Sequence, residues 1–446
     1  LIKPAQRPHR LEQTFDPLRL HELNPERYPY LLESVVHGTP HSRYDILFAF
    51  PGETLSSTSA DFLPQLSRAW ETQRHAVPES DLPFQGGWFL YLGYETAAEI
   101  EPTLTLSSDF SALPNAFATR IPAALVRDHQ QECCYLVCEP GQESLLVQIE
   151  ADIAALDAVN ETPTQVQVSA ITEEEPRRFI DGVGRIRDYI REGDVFQVNL
   201  SRAWSVDLAQ GDAAGLYRSL RLNNPAPFAA LVNFRGRAII SSSPERLVKV
   251  TESRVSTRPI AGTRPRGSDR DSDKAYSDTL LAHPKERAEH VMLIDLERND
   301  LGRVCIPGSI EVDELMVLES YAHVHHIVSN VSGQLRPDVT PVDVIRAVFP
   351  GGTITGCPKV RCMEIIQELE QNARGPYTGS VGYLSHCGRM DLNILIRTML
   401  LEDNRLTIRT GAGIVADSIA EQELEETRAK ARGLLRALGI KDNVSA

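Results

Sequence analysis

Two pairs of glutamates stand three residues apart on segments that read as helices. Glu286 and Glu289 lie in PKERAEHVMLIDLERND, and Glu423 and Glu426 lie in IAEQELEETRAKARGLLRAL. An i, i+3 spacing puts both members of a pair on one helical face. Two such faces meeting across a cleft would make an oxygen-rich seat for Mg²⁺, which keeps waters and takes one or two protein carboxylates. The plainer alternative is two solvated acidic faces. Lys430 extends the second face by one turn. It reads either as an i, i+4 salt bridge with Glu426 or as a cation reaching an anionic ligand. Arg397 sits in NILIRTML, an apolar strand where an unpaired charge is costly. It therefore needs an anion, either a ligand carboxylate or a structural Asp. The segment FPGGTITGCPKV spaces Gly351 and Gly356 as a phosphate loop would, but Cys357 stands where that loop needs Lys. Nucleotide binding is thereby excluded, while free N–H groups and Thr353 at a helix start would suit a carboxylate. Gly411 and Gly413 in GAGIVAD form no dinucleotide fingerprint. In YAHVHHIVSN, His323 and His325 share one strand face and His326 takes the other, with no third metal ligand in sight.

The elements that would position these residues read most cleanly from residue 176 onward. RRFIDGVGRIRDYIREGD has Phe179, Val183, Ile186 and Ile190 at helical spacing and closes on Gly193. VFQVNLSRAWSV alternates like a strand. AALVNFRGRAIISSSPERLVKV reads as two strands joined at RGR, and SVGYLSHCGRMDLNILIRTMLLEDNRLTIRTGAGIVAD as three strands. Pro284 suits a first helical turn, PVDVIRAVF is a short amphipathic helix, and a last helix runs almost to the C-terminus. Hairpins interleaved with helices predict an α+β fold with large antiparallel sheets.

Lys plus Arg number 46 and Asp plus Glu 61 in 446 residues, a net charge of −15. That balance argues against nucleic acid and against an anionic membrane surface as partners. Seven cysteines at irregular spacing read as reduced thiols. No secretory leader and no run of ~18 apolar residues is evident, so the expected location is cytoplasmic.

Taken together, these segments resemble the chorismate-utilising enzymes: anthranilate synthase component I, aminodeoxychorismate synthase component I, and the isochorismate and salicylate synthases. The matching blocks are FQVNLSR, SSPERLV, TRPIAGTRPRG, HPKERAEHVMLIDLERNDLGRV, HHIVS, FPGGTITGCPKVRCMEIIQELE, GSVGYLSHCGRMDLNILIRT and GAGIVADS…EETRAKA, in family order. The resemblance implies two large antiparallel β-sheets packed together with helices outside. It implies an N-terminal region, 1–165, contributing to the same sandwich, and a chorismate-binding catalytic region, 166–446. It also implies chorismate and Mg²⁺, with Glu289 and Glu426 as metal ligands and Glu286 and Glu423 beside them. Gly262, Thr263, Thr353, Tyr377, Arg397, Gly411, Gly413 and Lys430 match substrate-binding positions. Glu245 matches the general acid that protonates the departing C4 hydroxyl, and burial should raise its pKa for that task. His326 matches the active-site histidine.

Gln197 stands where isochorismate and salicylate synthases resemble each other in having a lysine base. Glutamine cannot activate water, so ammonia is the expected nucleophile, delivered by a separate glutamine amidotransferase subunit. DLPFQGG, NPAPFAA, VHHIVS, GGTITG and MDLNILIRT resemble aminodeoxychorismate synthase component I, an enzyme of p-aminobenzoate and folate biosynthesis. That is the expected activity. Ala261 departs from this pattern, because many such enzymes have Lys there as the group that attacks C2. Ala261 and LLES at residues 31–34 instead resemble anthranilate synthase, of tryptophan biosynthesis, the alternative expectation. Leu32, Glu33 and Ser34, with Asn224 and Pro225, are candidates for a tryptophan pocket or for plain sheet packing.

Overall fold

The computed structural model describes residues 8–36, 42–57, 61–75, 80–107, 113–156, 165–267, 269–320 and 324–440. These residues form two sheets, of twelve and ten strands, with antiparallel pairing throughout. Strand alternation decides what each face meets. Leu31, Leu47 and Leu125 point to helices that bring Leu18, Leu20, Leu216, Leu220 and Leu434. Their neighbours Tyr30, Ile46, Phe48 and Val126 point the other way, onto Phe89, Tyr91 and Phe117 of the second sheet. Each such side chain stabilises the sandwich by on the order of 2 kcal/mol. The second sheet buries its outer face under helices that include Phe62–Gln73, Pro284–Gly302 and Pro341–Val348. This is the α+β, two-sheet fold that the sequence predicts.

Strands from the two halves of the sequence share both sheets. Tyr30–Glu33 pairs with Phe228–Phe234 in the larger sheet, and Gly87–Leu92 pairs with Ser380–Ser385 in the smaller.

The chain changes sheets at two points that matter for chemistry. Arg237–Ser243 belongs to the larger sheet and Arg246–Thr251 to the smaller, so Pro244 and Glu245 form the step between them. Met390–Asn393 belongs to the smaller sheet and Thr398–Glu402 to the larger, so residues 394–397 make the return step. The two steps are bonded together. Ile394 N donates to Glu245 O at 3.0 Å and Ser242 N to Arg397 O at 3.2 Å. The two-strand and three-strand readings of these segments are therefore corrected to three and four strands. Arg397 lies in a step, with φ of 51°, and not inside an apolar strand.

Thr353 also differs from expectation. It lies in a 3-10 turn, Gly352–Ile354, and the helix itself begins later, at Lys359.

Candidate active site

The strand Gln197–Gln210 sorts its side chains by alternation. Val198 and Leu200 join a cluster with Phe179, Val183, Ile186, Ile365 and Ile366 from two helices. Gln197 and Asn199 consequently face the other way, as do Gly411 and Gly413 on the paired strand Arg405–Ile414. The amide of Gln197 lies across Gly413, where an added Cβ would stand 2.3 Å from Nε2. That amide donates to Glu289 Oε1 at 2.8 Å. Gly411 is pressed by Asn199 Oδ1 and Tyr377 Oη, at 2.7 and 2.8 Å from an added Cβ. Its carbonyl accepts from Lys430 Nζ at 2.9 Å, and Lys430 also pairs with Glu426 at 2.8 Å. Lys430 thus makes the i, i+4 pair and also reaches the strand that carries the glycines.

Glu245 is buried at the step between the sheets. Its Oε1 accepts from Thr353 Oγ1 at 2.7 Å. Burial pushes its carboxyl up to about 7, against the opposing pull of Thr353, the Ile260 backbone, Arg397 and Lys430. A carboxyl in this state can hold a proton near neutrality and donate it. Arg397, on the companion step, loses proton affinity through burial and regains some from Glu245, and a guanidinium stays charged under both influences. The cleft at these steps therefore offers one fixed cation and one carboxyl that is protonated below about pH 7.

His326 is buried on the strand Val324–Gln334. Burial and then the Arg397 charge bring it down to about 3, although it bonds the Gly262 backbone. It is a neutral imidazole at physiological pH and supplies no proton. His325 is held by Asp273 at 2.9 Å and Ser320 at 2.8 Å, and His323 lies outside the described residues. Gly262 sits at a register shift opposite this strand, with φ of +68°. An added Cβ there would stand 2.8 Å from both Glu286 Oε2 and Leu280 Cδ1. Glycine meets both demands of the position, the left-handed backbone and the close approach. The backbone of Thr263 pairs with His326.

Glu286 and Glu289 lie on the helix Pro284–Gly302, and Glu423 and Glu426 on Ala420–Ala437. Arg264 pairs with Glu286 at 3.2 Å. Among the described residues, no three His, Cys, Asp or Glu side chains form a preformed metal cage. Glu289 and Glu426 instead approach the same pair of strands, through Gln197 and Lys430 respectively. Carboxylate oxygens are the hard donors that Mg²⁺ takes.

A buried ionic hub underlies this arrangement, and the sequence reading passed over it. Glu370 accepts from Ser201 N at 2.8 Å and from Arg409 at 3.0 Å, and pairs with Arg374 at 2.6 Å. Burial alone would raise its pKa, but Arg374 and Arg409 outweigh that and hold it ionised. Arg374 also donates to Asn199 O at 2.7 Å and Ile354 O at 3.1 Å, and its guanidinium lies over Tyr377. One cation thereby fixes the strand of Gln197, the turn of Thr353 and the ring of Tyr377. The signal available in sequence was the i, i+4 spacing of Glu370 and Arg374.

A cavity of 510 Å³ lies apart from all these residues. Leu32, Glu33 and Ser34 line it with Tyr44, Phe228 and Tyr383. Glu33 is raised to about 7 by burial and then by Asp45, and it accepts from Tyr217 Oη at 2.6 Å. Arg246, Lys249 and Arg389 stand among the other lining residues, so the cavity presents both signs of charge. Asn224 and Pro225 are not among its lining residues. Asn224 ends the helix Ala213–Asn223, donates to Ser242 Oγ at 2.6 Å, and packs near Gly433 of the last helix. Pro227 and Phe228 take the lining positions.

Chorismate binding enzyme is the family that matches, over residues 29–436. The chain belongs to that family. It is 38% identical over 452 residues to anthranilate synthase component 1 of Pseudomonas putida, covering 94% of this chain and 91% of that one. It is 41% identical over 380 residues to aminodeoxychorismate synthase component 1 of Bacillus subtilis, covering 82% and 79%. The crystal structure of anthranilate synthase component I from Streptococcus pneumoniae superposes with a TM-score of 0.79 at 34% identity, covering 90% of this chain and 93% of that one. These relatives place the chain among the chorismate-utilising enzymes of the anthranilate and aminodeoxychorismate synthase group. They favour anthranilate synthase somewhat over the aminodeoxychorismate synthase expected from the sequence blocks. Among the described residues, no helix is long and apolar enough to cross a membrane.

Proposed function

We propose that the chain is the component I subunit of an anthranilate synthase, which adds ammonia to chorismate and yields anthranilate. Ala261 carries this reading. It is buried on the strand Ile260–Pro265, beside Gly262 and opposite Ile327. A methyl group attacks nothing, so the wall offers no covalent route through C2 and ammonia itself must add there. The C2 hydrogen is then lost as a proton, the C3–O bond breaks, and the enolpyruvyl group takes up a proton and leaves as pyruvate, which makes the ring aromatic.

In this reading Arg397 and Lys430 take the substrate carboxylates, and Tyr377, Thr353 and the glycines 262, 411 and 413 shape the bed. Thr263 contributes through its backbone position. Glu245 gives its proton to the departing C4 hydroxyl, because hydroxide is a poor leaving group. Gln197, which has no basic atom, directs an amide at the nucleophile's side without deprotonating water. His326 remains neutral and accepts or donates one hydrogen bond. Glu289 and Glu426, with Glu286 and Glu423, would hold Mg²⁺. When bound, the ion offsets the repulsion between these glutamates and a substrate carboxylate. A separate glutamine amidotransferase subunit supplies the ammonia. The 510 Å³ cavity, with Asp391 paired to Arg246 and with Lys249 and Arg389 also in its lining, suits a zwitterionic aromatic amino acid such as tryptophan.

The second reading is aminodeoxychorismate synthase, favoured by the B. subtilis relative at 41% identity and by the five sequence blocks. Ala261→Lys distinguishes the two. As anthranilate synthase, the variant should lose anthranilate formation, since an ammonium side chain would occupy the path to C2. An unaltered chain whose product becomes p-aminobenzoate only when aminodeoxychorismate lyase is added would reverse the choice.

A further inference from the structure

Gln197 is tied to a candidate metal ligand and fitted between two glycines. A place beside the nucleophile explains neither fact. Its Nε2 donates to Glu289 Oε1 at 2.8 Å, across the gap between the strand Gln197–Gln210 and the helix Pro284–Gly302. An ionised carboxylate only accepts, so it is the NH₂ end of the amide that this contact engages.

The seat of Gln197 is built on two sides. Its backbone pairs with Cys357, and its carbonyl accepts from Cys362 Sγ at 3.1 Å. A Cβ on Gly356 would stand 2.1 Å from that carbonyl oxygen, and Gly356 has a φ of +128°, so glycine is needed there twice over. Its side chain meets Gly413. The three atoms nearest an added Cβ at 413 all belong to Gln197: Nε2 at 2.3 Å, Cδ at 3.3 Å and Cγ at 3.8 Å. Gly413 lies within the strand Arg405–Ile414, where an extended backbone admits any side chain. Glycine at 413 therefore supplies the space in which the Gln197 amide reaches Glu289.

We propose that Gln197 is a positioning residue for Glu289, holding that carboxylate in place for Mg²⁺, and that Gly413 is the glycine that admits its amide. The inference rests on reading Glu289 as a ligand of the ion. One N–H fixes one oxygen of the carboxylate, so the group is oriented before the ion arrives. The donor is neutral and leaves the carboxylate charge whole, whereas an ammonium at 197 would compete with the cation for it.

The test is direct binding of Mn²⁺ in place of Mg²⁺, with the free ion counted by its electron spin resonance, so that no turnover is needed. Gln197→Ala should weaken Mn²⁺ binding by about 10- to 100-fold. Gly413→Ala should weaken it as well, because its methyl group displaces the amide. In the double variant that methyl group meets no amide, so the affinity should fall no further than in Gln197→Ala alone. Unchanged affinity in Gln197→Ala would overturn the proposal, and so would losses that multiply in the double variant. Gln197→Met keeps the length of the side chain and donates nothing. It should show the same loss, and it decides the matter if the alanine variant does not fold. Glu289→Gln separates the proposal from the reading beneath it. If that variant binds Mn²⁺ as tightly as the unaltered chain, Glu289 is no ligand and the reading of the metal site falls. If it binds weakly while both Gln197 variants bind normally, the positioning role alone falls.

Discussion

As the proposed acid, Glu245 must hold a proton, and its surroundings pull in two directions. Burial raises it to about 7, while Thr353, Arg397 and Lys430 keep it from rising further. An acid is active when protonated, so kcat/KM should be level below neutrality and fall as pH rises through about 7. Glu245→Gln should lower kcat by about 10² to 10⁴, with a far smaller change in KM. Equal losses in a variant with normal binding and a normal melting curve would fit; an unaffected kcat would remove the residue from the chemistry. Gly262 is the other sensitive point. Gly262→Ala meets a φ of +68° and a carboxylate oxygen of Glu286 2.8 Å from the new Cβ. The strain costs on the order of 1–3 kcal/mol. The concentration of Mg²⁺ needed for half activity should rise as Glu286 is displaced, which a metal titration reads directly.

The elements position these residues through two devices of different legibility. Alternation is written in the sequence: Gln197 faces the cleft because Val198 and Leu200 belong to the helices, and VFQVNLSR shows that period plainly. The helices at Pro176–Glu192, Pro284–Gly302, Pro341–Val348 and Ala420–Ala437 were legible for the same reason, from their apolar spacing and their Pro and Gly punctuation. The steps between sheets were not legible. SSSPERLV and LNILIRT stay apolar and extended while the chain leaves one sheet and enters the other, and periodicity carries no record of which sheet a strand joins. Glu245 and Arg397 sit at those steps; the expected role of Glu245 came only by resemblance, whereas the cost of an unpaired charge among apolar neighbours singled out Arg397 directly. Glu370 and Arg374 escaped for another reason: an i, i+4 pair looks alike on a wet face and in a dry core. Here it is dry, and Arg374→Met would leave Glu370 buried with only part of its compensation. Removing one partner of such a pair costs about 3–5 kcal/mol, which a denaturant titration measures. A loss under about 1 kcal/mol would show that the hub is not what holds the Thr353 turn and Tyr377 in place.

At the scale of the whole molecule, a net charge of −15 must admit a dianionic substrate, and in the proposed reading the local cations Arg397 and Lys430, with an ion that the glutamates would hold, offset it. The same interior sets the pH dependence of stability. Glu33, Glu95 and Glu245 are raised from 4.5 to about 7 and Glu297 to about 8. Their stabilising contribution is complete below the unfolded value and fades as pH rises to the folded one. His326 and His290 are lowered from 6.5 to about 3 and about 4, so theirs is complete above 6.5 and fades as pH falls. Each group changes stability by about 1.4 kcal/mol per pH unit inside its window. Between pH 4.5 and 6.5 four carboxyls lose stability while two histidines gain it, so from these groups the melting temperature should peak near pH 4.5 and decline toward pH 8; a steady rise across that interval would contradict these burials. The reaction itself is tested most directly by isotope. The chain would be given chorismate, Mg²⁺ and ¹⁵N-labelled ammonium, and the aromatic product separated and its nitrogen located. Label ortho to the carboxyl, in anthranilate formed without a second enzyme, is the predicted result. Label para to it, in p-aminobenzoate that appears only after a lyase is added, would contradict amination at C2 and return the chain to the aminodeoxychorismate synthases.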